Sequence, residues 1–251
     1  MKYLVLLFSI FTFSDMKSQD DFLELQMKHP KVQSANSEKY NIIKKKFENK
    51  GLTFPMKDIF WRAFKHYKTL ELWAYYADSQ SYILVETYKI CETVGDFGPK
   101  RQEGDFQIPE GFYYLDIFNP DSKYFLSMHV NYPNESDRIL GVQGKLGGDI
   151  YVHGGCETVG CLPMTDEVMK EIYIVNVHSR ALGLLRIPIH IFPMRLTVNN
   201  LNKLKQDFFK GNTKMINFWN NLKLGYDYFE TKKNLPNITV DPVSGKYLLE
   251  H

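Results

Sequence analysis

In the stretch IYVHGGCETVGCLPMT, Ile150 to Thr165, one histidine (His153) and two cysteines (Cys156 and Cys161) lie close together, separated by glycines. A cysteine attacks a carbonyl carbon as its thiolate, so a catalytic one needs a base or a positive charge to bring its pKa down from about 8.5. Cys161 stands a few residues before a helix start, and His153 comes beside it if the glycines fold the chain back. That gives a candidate nucleophile and base for acyl transfer. The amides of Gly160 and Cys161, at a tight turn, could point at the oxyanion formed on attack. Glycine at 160 would also let a substrate carbonyl approach the backbone closely. Other readings of the same residues stay open: a Cys156–Cys161 disulfide, a zinc site, or a structural role. For zinc no fourth ligand is evident, and neither C-x-x-C nor H-E-x-x-H spacing is present.

The elements that must position this stretch are partly legible. The segment Glu38 to Asn49 places Tyr40, Ile43 and Phe47 at helical spacing, with Gly51 as a stop and a polar lead-in from Asp20 to Asn36. Pro55 suggests a second short helix with Ile59, Phe60, Ala63 and Phe64 on one face. Glu71 to Ala77 and Ser81 to Ile90 then read as a hairpin, with Cys91 at its end as a buried, inert thiol. Gly111 to Phe118 and Lys123 to Asn131 read as strands, and Tyr132 to Gly148 as a turn-rich loop. Asp166 to His178 is a helix capped by Thr165 or Asp166. Leu184 to Phe192 is a strand that Pro188 should place at an edge or bulge. Two further helical patterns, Thr197 to Lys210 and Met215 to Phe229, suggest a cap or brace, and the tail beyond Lys232 should be extended.

Composition narrows the functional classes. With 31 basic and 29 acidic residues the formal charge is +2, too small a field to argue for nucleic acid as a partner. Met1 to Gln19 has an early lysine, an apolar run too short to span a bilayer, then small and polar residues, the order of an export signal. The mature protein is therefore expected in the periplasm, with no stable membrane anchor once the signal is cleaved. An odd count of three cysteines leaves at least one thiol unpaired in an oxidising compartment.

The pattern His153-Gly154-Gly155, then Thr158-Val159-Gly160-Cys161-Leu162, resembles the signature of the YkuD-type L,D-transpeptidase catalytic domain family, specifically its YafK-like branch. The blocks Glu103 to Asn134, Gly160 to Tyr173, Ile187 to Arg195 and Phe218 to Glu230 are similar to that branch as well. The resemblance implies an α+β fold: a mainly β, sandwich-like catalytic domain over 67–196, after a helical lead-in over 20–66 and before a helical extension over 197–251. It makes Cys161 the nucleophile, His153 the general base, and the Gly160 and Cys161 amides the oxyanion donors. It implies no cofactor. Where the wider family usually has arginine two residues after the nucleophile, this chain has Pro163, so another residue must recognise substrate carboxylates.

Arg101 and Arg138 are favoured for that task over Lys100, Arg186 and Arg195, because they lie in loops expected near the site; guanidinium binds carboxylate bidentately. Asn131, Tyr132, Gly154, Gly155 and Thr158 are the other candidate substrate contacts, and His129 is a further cleft candidate. The reaction the resemblance implies forms a thioester at the third residue of a peptidoglycan stem peptide, releases D-alanine, and passes the acyl group to an amine. A wall-anchored protein is a further candidate acceptor. Two rivals remain: a hydrolase acting as carboxypeptidase or amidase, and a non-catalytic peptidoglycan-binding module.

Overall fold

The computed structural model describes residues 21–208 and 210–250. The expected export signal at Met1 to Gln19 lies outside the described residues. The β-branched and aromatic runs build an eight-stranded sheet from β1 (Ile59–Phe64), β2 (Thr69–Tyr76), β3 (Ser81–Lys89), β4 (Gly111–Asn119), β5 (Ser127–Val130), β6 (Tyr151–His153), β7 (Leu162–Pro163) and β8 (Ile187–Phe192), in the order β3-β2-β1-β8-β4-β5-β6-β7. Neighbours are antiparallel except β1 with β8 and β6 with β7. The helices are α1 (Pro30–Glu48), α2 (Glu135–Leu140), α3 (Asp166–Ala181), α4 (Val198–Lys203) and α5 (Thr213–Lys232), and a hairpin of β9 (Asn237–Val240) and β10 (Tyr247–Glu250) follows. Residues 21–27 are helical too. The mixed α+β class expected from the sequence is the one observed.

Helices cover both faces of the sheet. On one face α1 and α3 pack through Val32, Ile43, Phe47, Met169, Ile172 and Val175 onto Trp61, Leu115, Met128, Val152 and Leu162. Trp61 is fully buried, and its indole donates to Asn176 Oδ1 at 2.8 Å, so truncating it to alanine should cost about 3–5 kcal/mol. On the other face α5 brings Phe218, Trp219, Leu222 and Tyr226 against Phe64, Phe192 and Tyr247. Between sheet and α5 lies Arg62, paired with Glu71 at 2.8 Å and also bound by Glu230.

This double coverage explains the main departures from the sequence expectations. Residues 59–64 form β1, not a helix: every position is buried, so no polar alternation marks the strand, and the aromatics at 60, 61 and 64 mimic a helical stripe. The polar lead-in is also corrected, since α1 begins at Pro30 and buries Val32 and Ala35 on α3. Pro188 sits in an interior strand. Its neighbour on one side is Tyr114 of β4, while pairing to β1 begins only at Ile189, so its missing N–H faces no β1 partner. Within the expected loop at 132–148, Asn134 and Asp137 form a reciprocal capping box for α2. The extended tail is a hairpin, with Tyr247 buried under α5.

One expectation about the thiols is overturned. Cys91 is not an inert thiol but is bonded to Cys156, and Cys161 is the free cysteine. The considered Cys156–Cys161 pairing is therefore replaced by a bond that spans the sheet.

Candidate active site

β6 and β7 run parallel, with Val152 opposite Leu162 and His153 opposite Pro163. Carried back one residue, that register sets Cys161 beside Tyr151, whose amide donates to Cys161 Sγ at 3.4 Å. Side chains alternate along a strand, so Cys161, Tyr151 and His153 share one face while Val152 and Leu162 enter the core. His153 thus stands diagonally across from the free thiol. The short, parallel pairing is possible because the Gly154–Gly160 loop returns the chain without a crossover helix.

The thiol donates to the Asp149 carbonyl at 3.5 Å and is not hydrogen-bonded to the imidazole. Burial pushes the Cys161 thiol above its ordinary value; the Asp149 charge adds to this, while the Tyr151 amide and the Lys100 ammonium oppose it. Burial lowers the His153 pKa, partly offset by the bond from its Nδ1 to the Gly154 carbonyl at 2.6 Å. The resting pair is therefore neutral thiol and neutral imidazole. Nδ1 faces the carbonyl oxygen and so carries the proton, leaving Nε2 as the basic nitrogen, and the Tyr124 ring packs on the imidazole at 4.7 Å. A backbone carbonyl, rather than an acidic side chain, orients this histidine.

The loop's conformation depends on its glycines at specific points. A Cβ on Gly154 would meet Asp166 Oδ1 at 2.6 Å and the Tyr124 carbonyl at 2.8 Å. Gly155 has φ +73°, the left-handed region, and its amide donates to Asp166 Oδ1 at 2.8 Å, tying the loop to the first turn of α3. The amides of Gly160 and Cys161 do converge, but on the Thr158 hydroxyl, at 3.2 and 2.9 Å. That hydroxyl in turn donates to the Cys161 carbonyl at 3.1 Å. The two expected oxyanion donors are occupied by Thr158 in this state, and a substrate oxygen would have to replace it.

The other candidates divide. Tyr132 is buried, with its hydroxyl on the Leu146 carbonyl at 3.1 Å, and Asn131 accepts from the Tyr114 amide at 2.7 Å. Both serve the β4–β5 framework, although both also border a cleft of about 360 Å³ that includes Arg138. Arg101 is engaged by the buried carboxylate of Asp137 at 3.0 Å and stacks on Phe218 at 4.6 Å. It lines a separate cleft of about 620 Å³ with Met215 and Lys246, which neither Cys161 nor His153 borders. Lys100 is held by Asp105 at 2.9 Å, and Arg195 by Glu71 at 2.8 Å. Arg186 lies over the Tyr114 ring.

Several residues at the site escaped sequence reasoning. Tyr151 and Asp149 contact the sulfur, Tyr124 packs on the histidine, and the Gln107 carbonyl lies where a Cβ on Gly160 would come within 3.0 Å. Asp105 shapes the loop over Gly160 by accepting from the Arg101, Gln102 and Gln107 amides. No group of three or more His, Cys, Asp or Glu residues capable of holding a metal ion occurs among the described residues.

Comparison with known proteins bears on this geometry. The family model for the L,D-transpeptidase catalytic domain, YkuD, matches residues 66–175. YafK, a candidate L,D-transpeptidase of Escherichia coli strain K12, is 35% identical over 193 residues, covering 76% of this chain and 73% of that protein. Among solved structures, the helical cell shape determining protein Pgp2 from Campylobacter jejuni is 19% identical, with TM-score 0.44, over 74% of this chain and 73% of that chain. A mutant form of Pgp2 is 25% identical, with TM-score 0.41, over 53% of this chain and 47% of that chain.

Proposed function

Because this chain belongs to the YkuD family of L,D-transpeptidase catalytic domains, we propose that it is a cysteine acyltransferase acting on peptidoglycan stem peptides, with Cys161 as nucleophile and His153 as base. The observation that carries the reading is the placement of the free thiol and a neutral histidine on one sheet face, with the other two cysteines bonded to each other. As Sγ approaches the carbonyl carbon of the third stem residue, its proton passes to His153 Nε2 and a C–S bond forms. The carbonyl oxygen becomes an oxyanion, for which the Gly160 and Cys161 amides are the nearest paired donors once Thr158 yields them. Collapse breaks the C–N bond, and His153 returns the proton to the departing D-alanine amine. A thioester remains, and an incoming amine reverses the sequence by losing its proton to His153.

The disulfide supports an oxidising compartment and hence export, since such bonds persist in the periplasm and are rare in the cytosol. Among the described residues no helix is long and apolar enough to cross a membrane.

Incubation of the full chain with tetrapeptide stems and a free D-amino acid tests the reaction. Exchanged or cross-linked products carrying the acyl group support transfer. Trimmed monomers alone would replace transfer by hydrolysis of the same thioester. A protein whose Cys161→Ala variant keeps full biological activity would instead be a binding module.

A further inference from the structure

Pro99 and Arg101, the C-terminal end of α2, the first turns of α5 and the β9–β10 turn enclose the cleft of about 620 Å³ that neither Cys161 nor His153 borders. Its walls are joined to one another. The Ser136 hydroxyl of α2 donates to the Gly245 carbonyl in the hairpin turn at 2.6 Å. Asn221 of α5 donates to the Tyr247 carbonyl and accepts from the Tyr247 amide, both at 2.8 Å. Arg101 ties its own loop to α2 through Asp137 at 3.0 Å and to α5 by stacking on the Phe218 ring at 4.6 Å. The cleft is therefore preformed, and a ligand that enters it need not order the chain around it.

The lining divides into an apolar floor and a cationic rim. Ile139, Leu140, Met215 and Phe218 supply the floor. Leu140 is 41% exposed, and Val243, next to Ser244 in the hairpin turn, is 86% exposed. Lys214 on α5 and Lys246 on the hairpin are exposed and form no ion pair among the described residues. Among those residues no aspartate or glutamate lines the cleft. The carboxylates on the elements that build it are engaged or lie elsewhere. Asp137 is held by Arg101 and by the Tyr113 hydroxyl, and Asp105 by Lys100. Asp241 takes the Val243 and Ser244 amides within the hairpin turn, where it also feels the Lys246 charge. Glu135, at the other end of α2, lines a different cleft, while Asp227 and Glu230 of α5 pair with Lys223 and Arg62. A ligand that matches the rim and the floor is anionic at both ends and apolar between them.

We propose that this cleft docks an acidic segment of a partner protein, whose carboxylates meet Lys214 and Lys246 while a large apolar side chain settles on Leu140, Met215 and Phe218. The volume falls within the roughly 300–1,000 Å³ of clefts that enclose ligand-sized groups, so a few residues of an extended chain fill it. Arg101 is already matched by Asp137 and shapes the floor rather than adding charge to the rim. The apolar side chains line a concavity, which a peptide enters and the plane of a lipid headgroup layer does not. Because the cleft is separate from the thiol, the partner stays bound while Cys161 reacts. The assignment does not depend on the acyltransferase reading.

Fluorescein-labelled hexapeptides test the assignment: two acidic residues on either side of a central pair drawn from Phe, Leu, Trp and Met, with lysine-flanked and Ala-Ala-centred versions as controls. Fluorescence anisotropy with the full chain should show micromolar binding of acidic members, lost in both controls and weakened at high salt. Lys214→Glu and Lys246→Glu should each weaken binding about fivefold or more, and Leu140→Ser should weaken it as well. All three residues are exposed, so the variants should fold, which their thermal midpoints check. Iodoacetamide labelling of Cys161 should be unchanged by saturating peptide. No acidic peptide binding tighter than about 1 mM, equal binding of the lysine-flanked peptides, or an unaltered affinity in the Lys214→Glu, Lys246→Glu double variant overturns the proposal. Protection of Cys161 by the peptide would move the binding to the thiol and overturn it too. Capture of the protein by phosphatidylglycerol vesicles when no peptide binds would assign the surface to a membrane instead.

Discussion

Cys91 and Cys156 are bonded to each other across a sequence separation of 65 residues, and the bond ties the end of β3 to the loop that follows His153. Beside it the Cys91 amide donates to the Pro163 carbonyl at 2.9 Å, so the first and last strands of the sheet, β3 and β7, are latched together where both would otherwise offer open edges. The latch holds the loop that carries Gly154, Thr158 and Gly160 and leaves Cys161 as the free thiol.

Loop-closure entropy for a span of this length corresponds to about 4 kcal/mol of stability. Cys91→Ala and Cys156→Ala should each lose a comparable amount in denaturant unfolding, and the double variant little more than either. An unchanged unfolding midpoint in either single variant would count against the latch.

The neutral Cys161–His153 pair makes a prediction about pH. Iodoacetamide labelling of Cys161 in the absence of substrate should have its midpoint above about 8.5, because burial raises the thiol. The acid limb of kcat/KM should lie below about 6.5, because burial lowers the imidazole and His153 must lose its proton before it can accept one from sulfur. A labelling midpoint well below neutrality would mean a resting thiolate and would overturn this account.

Thr158 holds the Gly160 and Cys161 amides through one oxygen. Thr158→Val keeps the shape and removes that oxygen, leaving two amides and the Cys161 carbonyl without their partner. Since a substrate oxygen has to replace that hydroxyl, we expect kcat to be kept or raised while the unfolding free energy falls by about 1 kcal/mol or more, with Thr158→Ser close to the parent. A Thr158→Val protein with the parent's stability would show that the hydroxyl does not shape the turn.

Two histidines away from the thiol weaken the fold in acid, against the opposite effect of Asp137, whose carboxyl is raised by burial to about 6. His190, packed on the rings of Phe60, Phe112 and Phe192, is pushed by burial to about 3, and the Arg62 charge adds to the effect. His178, beside Tyr40 and Phe54, is pushed by burial to about 4. Each stays neutral in the folded chain and binds a proton on unfolding, so the unfolded state carries more protons below the ordinary value of about 6.5. Stability contributed by neutrality is present above that value and is lost as pH falls, at about 1.4 kcal/mol per pH unit for each histidine until its folded pKa is reached. Unfolding midpoints from pH 7 to pH 4 measure the slope, and His190→Leu should flatten it. An unaltered slope in that variant would remove His190 from the account.

Much of this protein was legible in residue order. The hairpin of β2 and β3 announced itself by aromatic and β-branched runs around Asp78-Ser79-Gln80, and α3 by Thr165 and its apolar stripe, because those signals are local. The motif from His153 to Cys161 likewise suggested its chemistry, since glycines between a histidine and a cysteine are informative without any fold. What residue order could not reveal depended on partners distant in the chain. β1 read as a helix because α5, more than a hundred residues later, buries its second face; Cys91 read as inert because Cys156 meets it only when the sheet curls. Of the two arginines favoured from their position, Arg101 is neutralised by Asp137, while Arg138 forms no ion pair among the described residues. By itself the sequence singled out the candidate nucleophile, the candidate base and the turn between them. The tertiary structure decided which thiol is left reduced, which cations are left unpaired and which side chains share the face of Cys161, because each of these is set by strand register and by contacts between elements that sequence spacing does not encode.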